Sequence, residues 1–240
     1  VNLGNLGPAQ EAYTRKLLSY LPQKKNLRIL DIGGGAGETA KLFLALGHKV
    51  TIIVPSPILA SRSEENTKGK ANIKLCTFED YKLQGNERFD LCFFSESFQY
   101  IPLNKALEKA SKLLNKNGQI LIADCFRSDV SKKSTYRPPG GGHSLIDMLE
   151  EIKINNLKII LKEEITKSVS PSIDIEQKFY KTLGIIIRRI THSFSKKHPL
   201  IFNIVNSVYK LFLNKRKRNK LHNRLFRNSR NSEIFEYYNH

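Results

Sequence analysis

The 240-residue chain is short of acids, of cysteines and of long apolar runs, and each shortage excludes something. Lys and Arg number 40 against 22 Asp and Glu, a formal net charge of +18. The excess is uneven: no acidic residue occurs from Lys196 to Arg230, and Lys215-Arg216-Lys217-Arg218 is one dense run. Such a block attracts nucleic acid or an anionic membrane surface. Aromatics are not interleaved as a stacking platform requires, however, and no nucleic-acid module is recognisable, so nucleic acid is not the expected partner. The three cysteines, Cys76, Cys92 and Cys125, fall in predicted strands and have neither disulfide nor zinc spacing. They read as inert buried thiols of a cytoplasmic protein. No segment has the apolar length of a membrane span. The first twenty residues lack the hydrophobic run of a signal peptide. The chain begins without Met and stops abruptly at Asn239-His240, which leaves trimming at both ends open. Its length accommodates one large α/β domain with an appended element.

Against that background one stretch stands out, Leu27-Arg28-Ile29-Leu30-Asp31-Ile32-Gly33-Gly34-Gly35-Ala36-Gly37-Glu38. A short apolar run ends at a carboxylate, glycines follow, and a helix-like segment begins. This predicts a buried strand turning sharply into a helix, with glycine where the main chain needs unusual dihedrals or close approach. The free N–H groups of the helix start would face a ligand. The dinucleotide fingerprint is missing, because Glu38 stands where its third glycine belongs. A later triple glycine, Gly140-Gly141-Gly142, lacks the Lys-Ser/Thr ending of a P-loop and reads as a hinge or close-approach loop.

Further strands are expected at 48–54, 72–77, 88–94 and 119–125, with helices at 38–46 and 103–114 between them. The alternation argues for a doubly wound parallel sheet. Ligands of such sheets bind beyond the carboxyl ends of the strands.

The spacing Asp31-x-Gly33-x-Gly35-x-Gly37 resembles the first motif of the class I S-adenosyl-L-methionine (SAM) dependent methyltransferases, of the small-molecule type. Phe89-Asp90-Leu91 is similar to their fourth-strand motif, and Leu113 to Asp124 to their Gly turn and fifth strand. Asn2-Leu3-Gly4 is similar to the opening segment of many small-molecule members, so the likeness covers roughly residues 1–170. It implies a Rossmann-like, mostly parallel seven-stranded sheet over 1–170. A helical lid inserted before the last strand is implied over 171–230, and the start of that strand over 231–240. The helix 144–155 and strand 157–169 would complete the sixth-strand region.

The same resemblance implies site residues. Asp31, Gly33, Gly34, Gly35 and Gly37 would cradle the methionine and ribose part of the cofactor. In most members the second strand ends in an acid that holds both ribose hydroxyls, and here Val54 stands there, followed by Pro55. Losing such an acceptor costs about 1.5–3 kcal/mol. Weaker cofactor binding, substitution by a group such as Ser56, and loss of catalysis are the three alternatives. Phe78 would flank the adenine, or simply belong to the core, and Glu79 would accept from the exocyclic amine. Ser95, Glu96, Gln99 and Tyr100 would lie near the transferred methyl. His143, after the triple glycine, is a candidate general base, since imidazole accepts protons near neutrality; a plain loop or cap role is the alternative.

Residues 200–212 place Ile201, Ile204, Val205, Val208, Leu211 and Phe212 on one helical face, opposite Asn203, Asn206, Ser207 and Lys210. Packing against the domain is the ordinary expectation. A peripheral anionic membrane contact through 200–220 is the other. The functional expectation is methyl transfer from SAM to O, N or C of a small or lipid-like metabolite, without a metal. The alternatives are a catalytically impaired binding protein, prompted by Val54, and a nucleic-acid methyltransferase, prompted by the charge. The latter ranks last because Ser95-Glu96-Ser97-Phe98 is not the Asn/Asp-Pro-Pro-Tyr/Phe type of motif.

Overall fold

The computed structural model describes residues 6–83, 85, 87–132, 141–226 and 231–239. The opening segment at 2–4 and residues 136–140 lie outside them. The chain forms two compact units: residues 7–132 with 141–163, and a largely helical unit dominated by 164–240.

In the first unit, helix α1 (Leu6–Ser19) precedes β1 (Arg28–Ile32), α2 (Glu38–Ala45), β2 (Lys49–Ile53), α3 (Pro57–Thr67) and β3 (Asn72–Lys74). Then come β4 (Phe89–Ser95), a 3₁₀ turn (Phe98–Tyr100), α4 (Leu103–Leu113), β5 (Leu114–Ala123), α5 (Asp129–Lys132) and α6 (Leu145–Ile154). The five strands are ordered β3-β2-β1-β4-β5 with every ladder parallel. Both neighbours of β1 were thus reached by crossovers in opposite directions, and the crevice beyond β1 and β4 is the switch point where such sheets bind ligands.

Strand alternation divides the core. Leu30, Ile32, Cys92 and Phe94 face one apolar layer with Leu107 of α4 and Met148 of α6. Ile29, Leu91 and Phe93 face the other, with Phe43 of α2 and Leu17 of α1. Phe43 and Phe93 meet edge to face at 5.1 Å, a geometry that aromatic quadrupoles favour. At the amino end of the sheet, Asp90 accepts hydrogen bonds from Lys24 Nζ (2.7 Å), the Arg28 amide (2.9 Å) and Asn115 Nδ2 (3.1 Å). Burial opposes its ionisation, but these donors outweigh it and hold the carboxyl below its usual range. Asp90 therefore staples strands, far from the glycine elbow.

Two expected strands do not form. Residues 157–165 carry no regular structure, and α7 (Thr166–Val169) occupies the end of the expected sixth strand. Lys158, Lys162, Glu163 and Glu164 interrupt the apolar pattern, Ile160 and Leu161 stay exposed, and Glu163 instead reaches Lys16 and Tyr20 of α1. Residues 232–238 form a helix, α11, where the last strand was expected. Asn231 caps it by accepting from the Ile234 amide at 2.8 Å, and Glu233 lies in its acid-favouring first turn. Five strands, not seven, are present among the described residues. Of the cysteines only Cys92 lies in a strand; Cys76 and Cys125 follow β3 and β5 and are half-buried.

The second unit is built on α8 (Pro171–Lys197), followed by α9 (Pro199–Phe212), α10 (Lys215–Phe226) and α11 (Ser232–Tyr238). Gly184 lets α10 pack against α8, since a Cβ there would lie 2.5 Å from the Leu225 carbonyl oxygen. Arg224 pairs with Glu176 and stacks over Tyr180, 4.2 Å from the ring centre. Ser170 meets Glu236, and the Ser232 amide donates to Asp174 at 2.9 Å. Among the described residues no helix is long and apolar enough to cross a membrane.

Candidate cofactor and methyl-transfer site

The carboxyl end of β1 delivers Asp31 into the apolar layer, where it is only 2% exposed. Its Oδ2 is fully enclosed and has no hydrogen-bond partner. Burial pushes its carboxyl up to about 7, because a charge without a partner is poorly tolerated there. Gly34 lies directly over it: a Cβ would come within 2.5 Å of Oδ2. Gly33 (φ +75°) hydrogen-bonds through its amide to Ile53 at 2.8 Å, tying the elbow to β2. It leaves no room for a Cβ beside Ser97, whose Oγ donates to the Ile32 carbonyl at 2.5 Å. Gly37 (φ +80°) starts α2 and packs against Ser63. Gly35 differs from these. Its φ is also positive, +57°, yet a Cβ there would meet nothing within 4 Å. The elbow is clamped on three glycines and open at the fourth.

Beyond β4 and β5 a second group assembles. Ser95 ends β4, Glu96 follows with φ +56°, and its amide donates to Ala123 at 2.9 Å. That bond brings Glu96 beside Asp124. Asp124 accepts from the Gln99 amide at 3.0 Å and from the Cys125 amide at 2.7 Å. Tyr13, from α1, donates to Glu96 at 3.4 Å. Displacement of water raises the carboxyls of both Glu96 and Asp124, and the charge of Asp124 adds to the rise at Glu96. Burial and then the Glu96 charge push the Tyr13 phenol up to about 12. The result is an acidic cluster beyond β4 and β5 in a protein of net charge +18. Tyr13 and Asp124 were not singled out from the sequence. Asp124 was foreseeable as the first polar residue past β5, whereas Tyr13 carries no motif.

His143 takes a defined place. Its Nε2 lies 2.9 Å from the Ile101 carbonyl and 3.2 Å from the Phe98 carbonyl, so this nitrogen bears the hydrogen and donates. Its ring packs edge-on to Phe98 at 5.5 Å. The segment before it approaches closely: a Cβ on Gly142 (φ +84°) would overlap the Cys125 carbonyl. Tyr100 is 78% exposed.

The expected adenine residues follow β3. Phe78 is 3% exposed, meets Phe94 edge to face at 5.6 Å and has Lys109 Nζ over its ring at 5.4 Å. Its ring is a wall of the core. Glu79 is exposed, and its carbonyl accepts from Lys109 at 2.8 Å. Both border an open cleft of about 300 Å³ with Ile101 and Lys105. Val54 is 1% exposed and supplies an apolar wall; Pro55 is exposed. Ser56, the possible substitute for the ribose acid, accepts from the Leu59 amide at 3.4 Å as the N-cap of α3.

A glycine elbow over a buried acid, at the switch point of a parallel 3-2-1-4-5 sheet, is the arrangement of a class I, Rossmann-like methyltransferase. Residues 8–155 match the methyltransferase domain family, and the chain belongs to it. Among curated proteins it is similar to a glycine/sarcosine/dimethylglycine N-methyltransferase of Actinopolyspora halophila, 27% identical over 141 residues. That match covers 56% of this chain and spans only 25% of the relative's length. An uncharacterized methyltransferase of Geobacillus kaustophilus is 27% identical over 151 residues, 60% of this chain and 70% of that protein. The geranyl diphosphate C-methyltransferase of Streptomyces coelicolor A3(2), solved with Mg²⁺, geranyl diphosphate and S-adenosyl-L-homocysteine, shares the fold at TM-score 0.59 and 16% identity. It aligns with 68% of this chain, and 66% of that chain is covered. The residues present fit a cationic nucleoside cofactor, because the elbow is open at Gly35 and a carboxyl, Asp31, is buried directly beneath it.

Proposed function

We propose that this chain transfers a methyl group from SAM to O, N or C of a small-molecule acceptor. The observation that carries the reading is the glycine elbow at the switch point of the sheet, closed at Gly33, Gly34 and Gly37 and open at Gly35, with the buried Asp31 carboxyl beneath it. Bound SAM supplies an electrophilic methyl on a sulfonium, whose positive charge is discharged as the methyl leaves. The chain's own residues orient and enclose. The elbow from Gly33 to Gly37 holds the cofactor's methionine and ribose part, with Asp31 ionised to balance the cation. Ser95, Glu96 and Asp124 border the reacting region, and the two carboxylates attract the cationic cofactor there. In-line displacement needs chiefly orientation at near-attack distance, so no metal is required by the proposal. A hydroxyl acceptor would give its proton to Glu96, whose raised carboxyl suits it to that task, while an amine or activated carbon needs less help. His143, with Nε2 already donating to main-chain carbonyls, positions the 98–101 segment; any base role falls to its Nδ1.

Val54 removes the usual ribose acceptor, and with Ser56 committed to its cap, weaker cofactor binding is the favoured consequence. Residues 171–230 are proposed as the element that selects the acceptor. The test is methyl transfer from labelled SAM to a panel of amines, phenols, carboxylic acids and prenyl compounds. Turnover that is lost in Gly35→Arg supports the reading; no turnover on any acceptor despite tight cofactor binding favours the impaired binding protein.

A further inference from the structure

The helix α9 turns its apolar side away from its own unit. Phe202 and Asn206 are the half-buried positions of this helix, whereas no residue of it is buried. Leu200, Ile201, Ile204, Val208, Leu211 and Phe212 are all exposed, the last two at 83%. At 100° per residue these six share one face; Asn203 and Lys210 lie away from it, and Ser207 borders it. The sequence led us to expect this face to be packed, and it is not. A soluble helix does not ordinarily leave a contiguous stripe of this kind uncovered.

The charge around the stripe narrows what covers it. The next helix, α10, begins Lys215-Arg216-Lys217-Arg218, and Lys215, Arg216, Lys217 and Lys220 are exposed. α10 is fixed to α8 through Gly184 and buried Leu225, so its cations are carried on a packed scaffold. No acid lies between Lys196 and Arg230 in the sequence, although Arg224 of this helix pairs with Glu176 of α8. A second copy docking through the same stripe would bring its own basic helix against this one. Nucleic acid would use the cations and leave the aliphatic stripe in water. An anionic bilayer satisfies both, taking the apolar side chains below its headgroups and holding the cations at the phosphate level.

We infer that α9 and α10 together form a peripheral docking surface for anionic phospholipid membranes, with α9 lying in the interface plane and α10 as its electrostatic anchor. This stands independently of the methyltransferase reading, because it rests on another unit of the chain. It also places the protein where a lipid-like acceptor would be encountered.

The full chain is mixed with vesicles of phosphatidylcholine alone or with phosphatidylglycerol added at about 30%, and binding is read by co-sedimentation. Binding is expected to the anionic vesicles, falling as salt is raised. Each cation at such a surface contributes about fivefold to the partition. The triple exchange Lys215→Gln, Arg216→Gln and Lys217→Gln therefore lowers it by at least tenfold. Ile204→Ser with Leu211→Ser, both exposed and so harmless to folding, lowers it by a similar factor. Circular dichroism confirms that the variants remain helical. No binding to anionic vesicles at low salt overturns the inference. So does binding that survives Ile204→Ser with Leu211→Ser, which would mean charge attraction alone. Self-association abolished by those substitutions, without vesicle binding, would assign the stripe to a second copy.

Discussion

Asp31 and Gly34 are in close contact: the Cα of Gly34 sits so close above the Asp31 carboxyl that a Cβ would lie 2.5 Å from Oδ2 and 2.9 Å from Ile52 Cγ2. The buried acid and the glycine above it are one device. The acid requires a cover, and only glycine leaves room for it.

Alanine substitutions separate the two functions of the elbow. Gly34→Ala forces a side chain into occupied space and is expected to cost about 1–3 kcal/mol of stability. Gly35→Ala meets no neighbour and costs only the strain of a positive φ, about 1–2 kcal/mol. It should nevertheless lower cofactor affinity at least tenfold if, as proposed, the ligand occupies the space beside Gly35. Denaturant unfolding with cofactor titration checks both.

The Asp31 carboxyl titrates near 7 when folded and near 3.8 when unfolded, so the folded state holds its proton more tightly. Its contribution to stability is full below pH 4 and is lost as pH rises through 7. Over that window the loss for the ligand-free protein is on the order of 4 kcal/mol. Thermal melts of the wild type against Asp31→Asn should diverge across this window, with the variant insensitive to this titration. Cofactor binding, which needs the ionised form, should strengthen with pH over the same range.

Glu96 and Asp124 share one edge of the site. Asp124→Asn removes the charge that, after burial, raises the Glu96 carboxyl. The Glu96 titration should move down toward its ordinary value, as followed by carboxyl carbon resonances. Affinity for the cationic cofactor should fall about tenfold, with the loss of negative potential at the sulfonium. An unmoved Glu96 titration would show that the two do not interact.

His143→Ala should destabilise by about 1–3 kcal/mol, because the Ile101 and Phe98 carbonyls lose their donor. His143→Gln, which keeps a donor, should recover part of this. The pH profile of kcat is expected to keep its shape in both. Loss of its acidic limb in either variant would return the base role to His143.

The central sheet was legible because its signals are local. β-branched runs, the acid at the end of β1 and the glycine spacing each declare themselves within a few residues. The strand expected at 231–240 was misread because Ser232-Glu233-Ile234-Phe235 carries apolar residues in either period, and the Asn231 cap decides for helix. Phe78 is packed edge to face on Phe94 and lies under Lys109, the core role that the sequence left open beside an adenine contact. The union of Tyr13, Glu96 and Asp124 could not be read from spacing, since it joins residues 83 positions apart.

The most direct measurement is a calorimetric titration of the protein with S-adenosyl-L-homocysteine at pH 8, beside Asp31→Asn. One-site binding in the micromolar range for the wild type, abolished in the variant, is predicted. No heat of binding in the wild type, or equal affinity in both proteins, would contradict the claim that the glycine elbow over Asp31 holds the cofactor.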